Sequence, residues 1–276
     1  MAFHPDIYVL VPFYVREDTR ALEQCLRSLM HQSIDFRAVL VDDDSPADTA
    51  SSTAALASDQ RFELLKHSRR TGPAGARKSG LDMICSRASD DDVVVLLDGD
   101  DFLCRNTSLE IIRGRYRRAP KTKMTFGGML VTGRSDLDRR SYRRWHLDLS
   151  LTRHLPSWRA PHPRTFRVGH YRRCAHRMKL KLPGGRWLPA ATDMALLFPM
   201  LDECDAEEVA HIEETVYAYR YDCEAPRDTS YVRKQKFGEF FTRRSPLYVI
   251  TKLLRRPSRI ADAMLGAYEI FSERAE

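Results

Sequence analysis

No apolar run in this chain of 276 residues approaches the roughly 20 residues that a membrane-spanning helix needs. The six cysteines, at 25, 85, 104, 174, 204 and 223, form no CxxC pair and no regular spacing. That argues against a zinc site or a disulfide frame and for reduced thiols, as in a cytoplasmic protein. Neither GxGxxG nor GxxxxGK[ST] occurs, which removes the usual dinucleotide and Walker readings. There is no internal repeat and no low-complexity linker. The N-terminus lacks a basic leader. Its apolar stretch Ile7–Tyr14 runs into Arg16-Glu17-Asp18, as a strand does and a signal peptide does not. Acidic residues are scarce in the middle of the chain: residues 111–190 hold 21 Lys/Arg and 3 Asp, a net of 21 − 3 = +18. Residues 1–110 hold 12 Lys/Arg and 19 Asp/Glu, a net of 12 − 19 = −7. One part is suited to a metal, the other to an anion.

What is present is an alternation of strands and helices. The patterning predicts strands at Ile7–Phe13, Ala38–Val41, Phe62–Lys66 and Val93–Leu97. Helices are predicted between them at Asp18–His31, Ala47–Ala57 and Ala74–Arg87. Such alternation implies βαβ units and a mostly parallel sheet with right-handed crossovers. Further on, the pattern predicts a helix at Leu109–Arg118, one strand over Met124–Val131, a helix at Ala190–Leu201 and a strand at Val216–Tyr221. Two helices broken at Pro257 are predicted within Leu247–Ile270. Residues 132–188 are Arg-rich and interrupted by Pro156, Pro161, Pro163 and Gly184-Gly185, and carry no clear period.

Three of the strands end in chemistry-bearing residues. The first ends in Pro12-Phe13-Tyr14, the second in Asp42-Asp43-Asp44-Ser45, the fourth in Asp98-Gly99-Asp100-Asp101. Neighbouring strands would bring these loops to one crevice at the carboxyl edge of the sheet, where open α/β folds bind ligands. Tyr14 would stack on a nucleobase, and a carboxylate of the second strand end would accept its ring N–H. Hard oxygens from the three carboxylates around Gly99 (Asp98, Asp100 and Asp101) suit Mg²⁺ or Mn²⁺ completed by substrate phosphates. Arg77 and Lys78, in Gly72-Pro73-Ala74-Gly75-Ala76-Arg77-Lys78, place cations near a helix N-terminus, where phosphate is favoured.

These strings, V-P-F-Y, V-D-D-D-S, G-P-A-G-A-R-K-S-G and L-L-D-G-D-D, resemble in order the nucleotide-sugar-binding half of the family 2 inverting glycosyltransferases. The resemblance covers about residues 5–105. It extends more weakly to H-P-R-T-F-R (162–167), T-D-M-A-L-L-F-P-M-L-D (192–202) and V-Y-A-Y-R (216–220) on the acceptor side. It implies a GT-A fold: a Rossmann-like, mostly parallel sheet flanked by helices, with a basic acceptor region and C-terminal helices. The implied catalytic domain is 1–225 (donor half 1–105, acceptor half 106–225), followed by a helical extension at 226–276. By resemblance Pro12, Tyr14, Asp42, Asp43, Arg77, Asp98 and Gly99 belong to the donor site. Asp100 with Asp98 holds Mn²⁺ or Mg²⁺, and Asp193 deprotonates the acceptor. The chain departs from the family strings at Val15, Asp44 and Lys78.

Plainer readings stand beside these. Asp42–Asp44 and Asp193 are also placed to cap helices, Arg77 to be a solvated helix residue, and His162 an ordinary loop histidine. His162, Arg164, Arg167 and Trp187 are candidate acceptor contacts. The basic stretch, interleaved with aromatics, suits a polyanionic acceptor such as modified DNA. The competing acceptor is a lipid or polysaccharide at a membrane face, met by the segment from Leu253 to Phe271 lying on the bilayer. That segment would otherwise pack on the catalytic domain or on another subunit of a homo-oligomer. A non-enzymatic nucleic-acid-binding module would explain the charge but leave the acidic loops without a purpose.

Overall fold

The computed structural model describes residues 5–47, 49, 58–132, 160–221 and 229–243. Its elements are β1 (Ile7–Phe13), α1 (Arg20–Met30), β2 (Arg37–Asp42), β3 (Phe62–Lys66), α2 (Gly72–Cys85), β4 (Val93–Leu96) and β5 (Phe102–Leu103). They continue with α3 (Ser108–Arg118), β6 (Met124–Phe126), β7 (Met129–Thr132), β8 (Arg164–Arg167), α4 (Val168–Cys174), α5 (Thr192–Leu201), β9 (Val209–His211), β10 (Tyr217–Arg220) and α6 (Thr229–Arg243). A seven-stranded sheet runs β3-β2-β1-β4-β8-β6-β9, and a three-stranded sheet runs β5-β10-β7. From β3 to β4 every pairing is parallel; β8 joins both β4 and β6 antiparallel.

Strands β1 and β4 are apolar throughout because both faces are covered. Val9, Val11, Val93, Val95 and Leu97 pack toward Leu22, Cys25, Leu26 and Leu29 of α1 and Leu109 and Ile112 of α3. Leu10, Val39, Val41, Val94 and Leu96 pack toward Leu81 and Ile84 of α2 and Leu196, Leu197 and Phe198 of α5. Gly80 lets α2 lie close on the sheet: a Cβ there would stand 2.2 Å from Leu10 Cδ1. The prediction for the donor half is met wherever the residues are described; most of the helix predicted at Ala47–Ala57 lies outside them.

The acceptor half differs in two places. The single strand predicted over Met124–Val131 is two strands in two sheets. Gly127 and Gly128, with φ of 94° and 76°, turn the chain between them, a conformation other residues rarely adopt. The Arg-rich stretch contains β8, whose side chains are all buried. Thr165 there joins a buried hydrogen-bonded chain with Tyr116 (2.7 Å) and Thr125 (2.6 Å). Pro199 lies inside α5 without ending it. Helix α6 was not placed by periodicity, though it lies within 226–276, where the resemblance implied a helical extension. It packs on α5 through Gly238, where a Cβ would meet the Ala190 carbonyl oxygen at 2.5 Å, and through Arg243 over the Phe198 ring. The helices predicted at Leu247–Ile270 lie outside the described residues. Among the described residues no helix is long and apolar enough to cross a membrane.

Candidate active site

Strands β2, β1 and β4 are adjacent and parallel, so their carboxyl ends open on one cleft of about 1430 Å³. Pro12, Tyr14, Asp43, Arg77, Asp98, Gly99 and Asp100 line it from the donor half; His162, Arg164 and Asp193 line it from the acceptor half. Asp98 emerges from the end of β4 and accepts a hydrogen bond from Arg77 Nη2 at 2.6 Å. Burial alone would raise the Asp98 pKa, but Arg77 and, further off, Arg164 bring it down to about 2. The other Arg77 nitrogen, Nη1, donates to Thr192 Oγ1. One guanidinium thus ties the loop after β4 to the start of α5. The resemblance placed Arg77 in the donor site, and its buried, paired position excludes a solvated helix arginine.

Gly99 is required by close approach. A Cβ there would stand 2.6 Å from Phe13 Cβ and 3.2 Å from the Pro12 carbonyl oxygen. Asp100 faces the cleft and is exposed. Asp101, one of the three loop carboxylates but given no role by the resemblance, is 1% exposed. It accepts from the Tyr217 hydroxyl (2.5 Å) and the Arg220 backbone N–H (2.8 Å). Burial and the neighbouring Asp100 and Asp98 push its pKa well above the carboxylate range. One donor atom each from Asp98, Asp101 and His162 lies within 4.8 Å of the others. Two hard oxygens and an imidazole nitrogen fit a divalent cation of the manganese kind. Burial, with Arg164 next, drives the His162 pKa far down, so its ring is neutral.

The two aspartates after β2 separate. Asp42 is buried, does not line the cleft, and accepts from the Ser45 backbone N–H at 2.8 Å; it holds the turn instead of reaching a nucleobase. Asp43 lines the cleft, and its carboxylate accepts from Thr71 N–H (2.8 Å), Thr71 Oγ1 (2.7 Å) and Gly72 N–H (2.7 Å). Burial works against its charge, but these bonds and His67 lower its pKa. Arg70 lies over the Tyr14 ring, its guanidinium carbon 3.3 Å from the centroid; sequence reasoning had not singled out Arg70.

Asp193 sits in the first turn of α5 and pairs with Arg164 Nη1 at 3.1 Å. Ala191 before it takes a left-handed φ of 54°, a costly conformation for alanine that tends to mark functional sites. Two other expected acceptor contacts fall elsewhere. Arg167 donates to the carbonyls of Thr122, Asp91 and Pro120, fixing β8 to its surroundings. Trp187 is absent from the cleft wall; it lies against α2 at Gly75 with Lys181 over its ring.

Residues 8–172, more than half of the chain, match Glycosyl transferase family 2. The chain belongs to this family. A curated relative, the succinoglycan biosynthesis protein ExoW of Rhizobium meliloti (strain 1021), is 36% identical over 95 residues, which is 34% of this chain and 28% of the relative. The fold is shared with solved structures. S. aureus TarS 1-349 superposes with a TM-score of 0.58 at 14% identity over 92% of this chain and 73% of TarS 1-349. In the longer TarS structure the match takes in 38% of that chain. The mannosyltransferase PcManGT of Pyrobaculum calidifontis, solved with GDP-Man and Mn²⁺, gives a TM-score of 0.56 at 13% identity over 96% of this chain and 76% of its own.

Proposed function

We propose that this protein is a metal-dependent inverting glycosyltransferase. In this reading it moves a hexosyl group from a nucleotide-diphosphate donor, UDP-linked, to an acceptor hydroxyl. The carrying observation is that Asp98 and Asp100 on the sheet edge and Asp193 on α5 line one cleft, roomy enough for donor and acceptor together. Tyr14 and Arg70 offer a flat platform for the base. Arg77, at the N-terminal turns of α2, faces the diphosphate. Asp98 and Asp100 hold Mn²⁺ or Mg²⁺, which when bound neutralises charge on the departing diphosphate. Asp193, aimed by Arg164 and the left-handed turn at Ala191, takes the acceptor proton as the hydroxyl attacks the anomeric carbon from the face opposite the leaving group. The choice of UDP leans on TarS, which is known in complex with UDP-GlcNAc; PcManGT takes GDP-Man.

For the acceptor we favour a saccharide hydroxyl over DNA. Among the described residues the cleft wall carries seven carboxylates (Glu17, Asp18, Asp43, Asp98, Asp100, Asp193, Glu239) and five cations (Arg16, Arg70, Arg77, Arg164, Lys236), a balance that favours a neutral acceptor over a polyanion. Within the basic stretch Lys121, Lys123, Arg164, Arg167, Arg172 and Arg177 each meet an acid from outside it. A polysaccharide acceptor also agrees with the relative named for succinoglycan biosynthesis.

Asp193→Asn should lower turnover about 10²–10⁴-fold while UDP binding, followed by calorimetry, stays as in the wild type. Unchanged turnover would exclude Asp193 as the base. DNA binding that weakens steeply with salt, together with sugar transfer to DNA, would restore the polyanion reading.

A further inference from the structure

We infer that His162 is a nitrogen ligand of the divalent cation, facing Asp98 across the seam between β4 and β8. The inference rests on the metal-dependent reading above and deepens it.

Register places the histidine there. β8 runs antiparallel to β4, with Val93 opposite Arg167 and Leu96 opposite Arg164. The pairing ends there; Asp98 follows β4 by two residues and His162 precedes β8 by two, so both leave the same end of the β4–β8 pair. The distances agree: donor atoms of Asp98, Asp101 and His162 converge within 4.8 Å.

A second observation is independent of the carboxylates. His162 is 5% exposed, and its Nδ1 is buried without a hydrogen-bond partner. Buried polar side-chain atoms are usually paired. The ring lies tilted against two aromatic neighbours, its centroid 4.6 Å from that of Tyr217 and 6.0 Å from that of Tyr219. A packed ring with a buried, unpartnered nitrogen, and with a ligand atom close to two carboxylates, offers what a metal takes. Of the nearest cations, Arg164 is engaged by Asp193 and the Ala160 carbonyl, while Arg77 takes one oxygen of Asp98 and Thr192 Oγ1. One imidazole nitrogen among oxygens also shifts the preference from Mg²⁺ toward Mn²⁺.

The test uses the full chain with Mn²⁺ and UDP. Pulsed electron paramagnetic resonance of the bound Mn²⁺ should show a nitrogen coupling that changes on histidine-specific isotope labelling. In His162→Gln that coupling should vanish, Mn²⁺ should bind about tenfold or more weakly, and the preference for Mn²⁺ over Mg²⁺ should narrow. UDP binding without metal should be unchanged. Bound Mn²⁺ without nitrogen coupling in the wild type, or coupling that survives the substitution, overturns the inference and leaves the metal at the carboxylates. Loss of metal-free UDP affinity with the Mn²⁺ signal intact would make the ring a diphosphate contact instead. If wild-type protein binds no Mn²⁺ with UDP, the metal-dependent reading itself falls. Should His162→Gln fail to fold, the labelled wild-type spectrum alone decides.

Discussion

Asp98 carries its charge into a half-closed cleft because Arg77 meets it at 2.6 Å, and the pair has a pH signature. The Asp98 pKa falls from 3.8 in the free side chain to about 2 in the fold. Its contribution to stability is therefore complete above about pH 4 and is lost as the pH drops through about 2. In Asp98→Asn that contribution is absent at every pH. The wild type should thus lose more stability than the variant between pH 4 and pH 2 in acid denaturation followed by circular dichroism; parallel curves would contradict the pairing. Several of the residues named from sequence do meet in the cleft: Tyr14, Asp43, Arg77, Asp98, Gly99, Asp100, His162, Arg164 and Asp193. Tyr14, Asp43, Asp98, Gly99 and Asp100 were legible because the parallel strand pattern fixes which loops share an edge; Arg77, His162, Arg164 and Asp193 were named through the family resemblance. Asp42 was not separable from Asp43, since which of two adjacent carboxylates turns inward depends on the Ser45 turn. Arg167 and Trp187 looked like recognition residues for their chemistry alone. Nothing local says that three backbone carbonyls wait for Arg167 or that Gly75 makes room for Trp187.

At the scale of elements, glycines decide how closely pieces approach. Gly99→Ala would drive a methyl into Phe13 and the Pro12 carbonyl, so the loop carrying Asp98 and Asp100 must shift. UDP affinity in the presence of Mn²⁺ should fall well beyond tenfold, readable by calorimetry, with far-ultraviolet circular dichroism preserved. Gly238→Ala would place a methyl 2.5 Å from the Ala190 carbonyl and lift α6 from α5. Hydrogen exchange in Thr229–Arg243 should then accelerate while the central strands stay protected. The donor-half elements were readable because β1 and β4 are covered on both faces and therefore continuously apolar. β8 was not, because its buried positions are filled by Arg164, Thr165 and Arg167, polar residues satisfied by partners far away in sequence. The division at Gly127-Gly128 hid for a related reason: an apolar run continues on both sides, and only tertiary pairing assigns its halves to different sheets.

For the molecule as a whole, the basic stretch acts first as internal counter-charge. Arg172 reaches Asp90, Arg177 reaches Asp202 and Glu203, and Lys123 reaches Glu208. The asymmetry between the segments is thus partly cancelled in three dimensions, which no running charge count reveals. Ligand linkage tests the donor site globally. At a concentration 100 times its Kd, a ligand specific for the native state adds about 2.7 kcal/mol, which for a chain of this size raises Tm by roughly 5–10 °C. UDP with Mn²⁺ should produce such a shift, and the same mixture should leave Asp98→Asn nearly unmoved. The four residues from Asp98 to Asp101 also span two structures at once. Asp98 is tied through Arg77 to the large sheet and its helices, while Asp101 is clasped by Tyr217 and Arg220 of the small one. The loop therefore works as a pair of calipers. Whatever draws its carboxylates together sets the gap between the sheets, so donor arrival should be felt as slowed hydrogen exchange along β10 and β7, strands that need never touch the sugar.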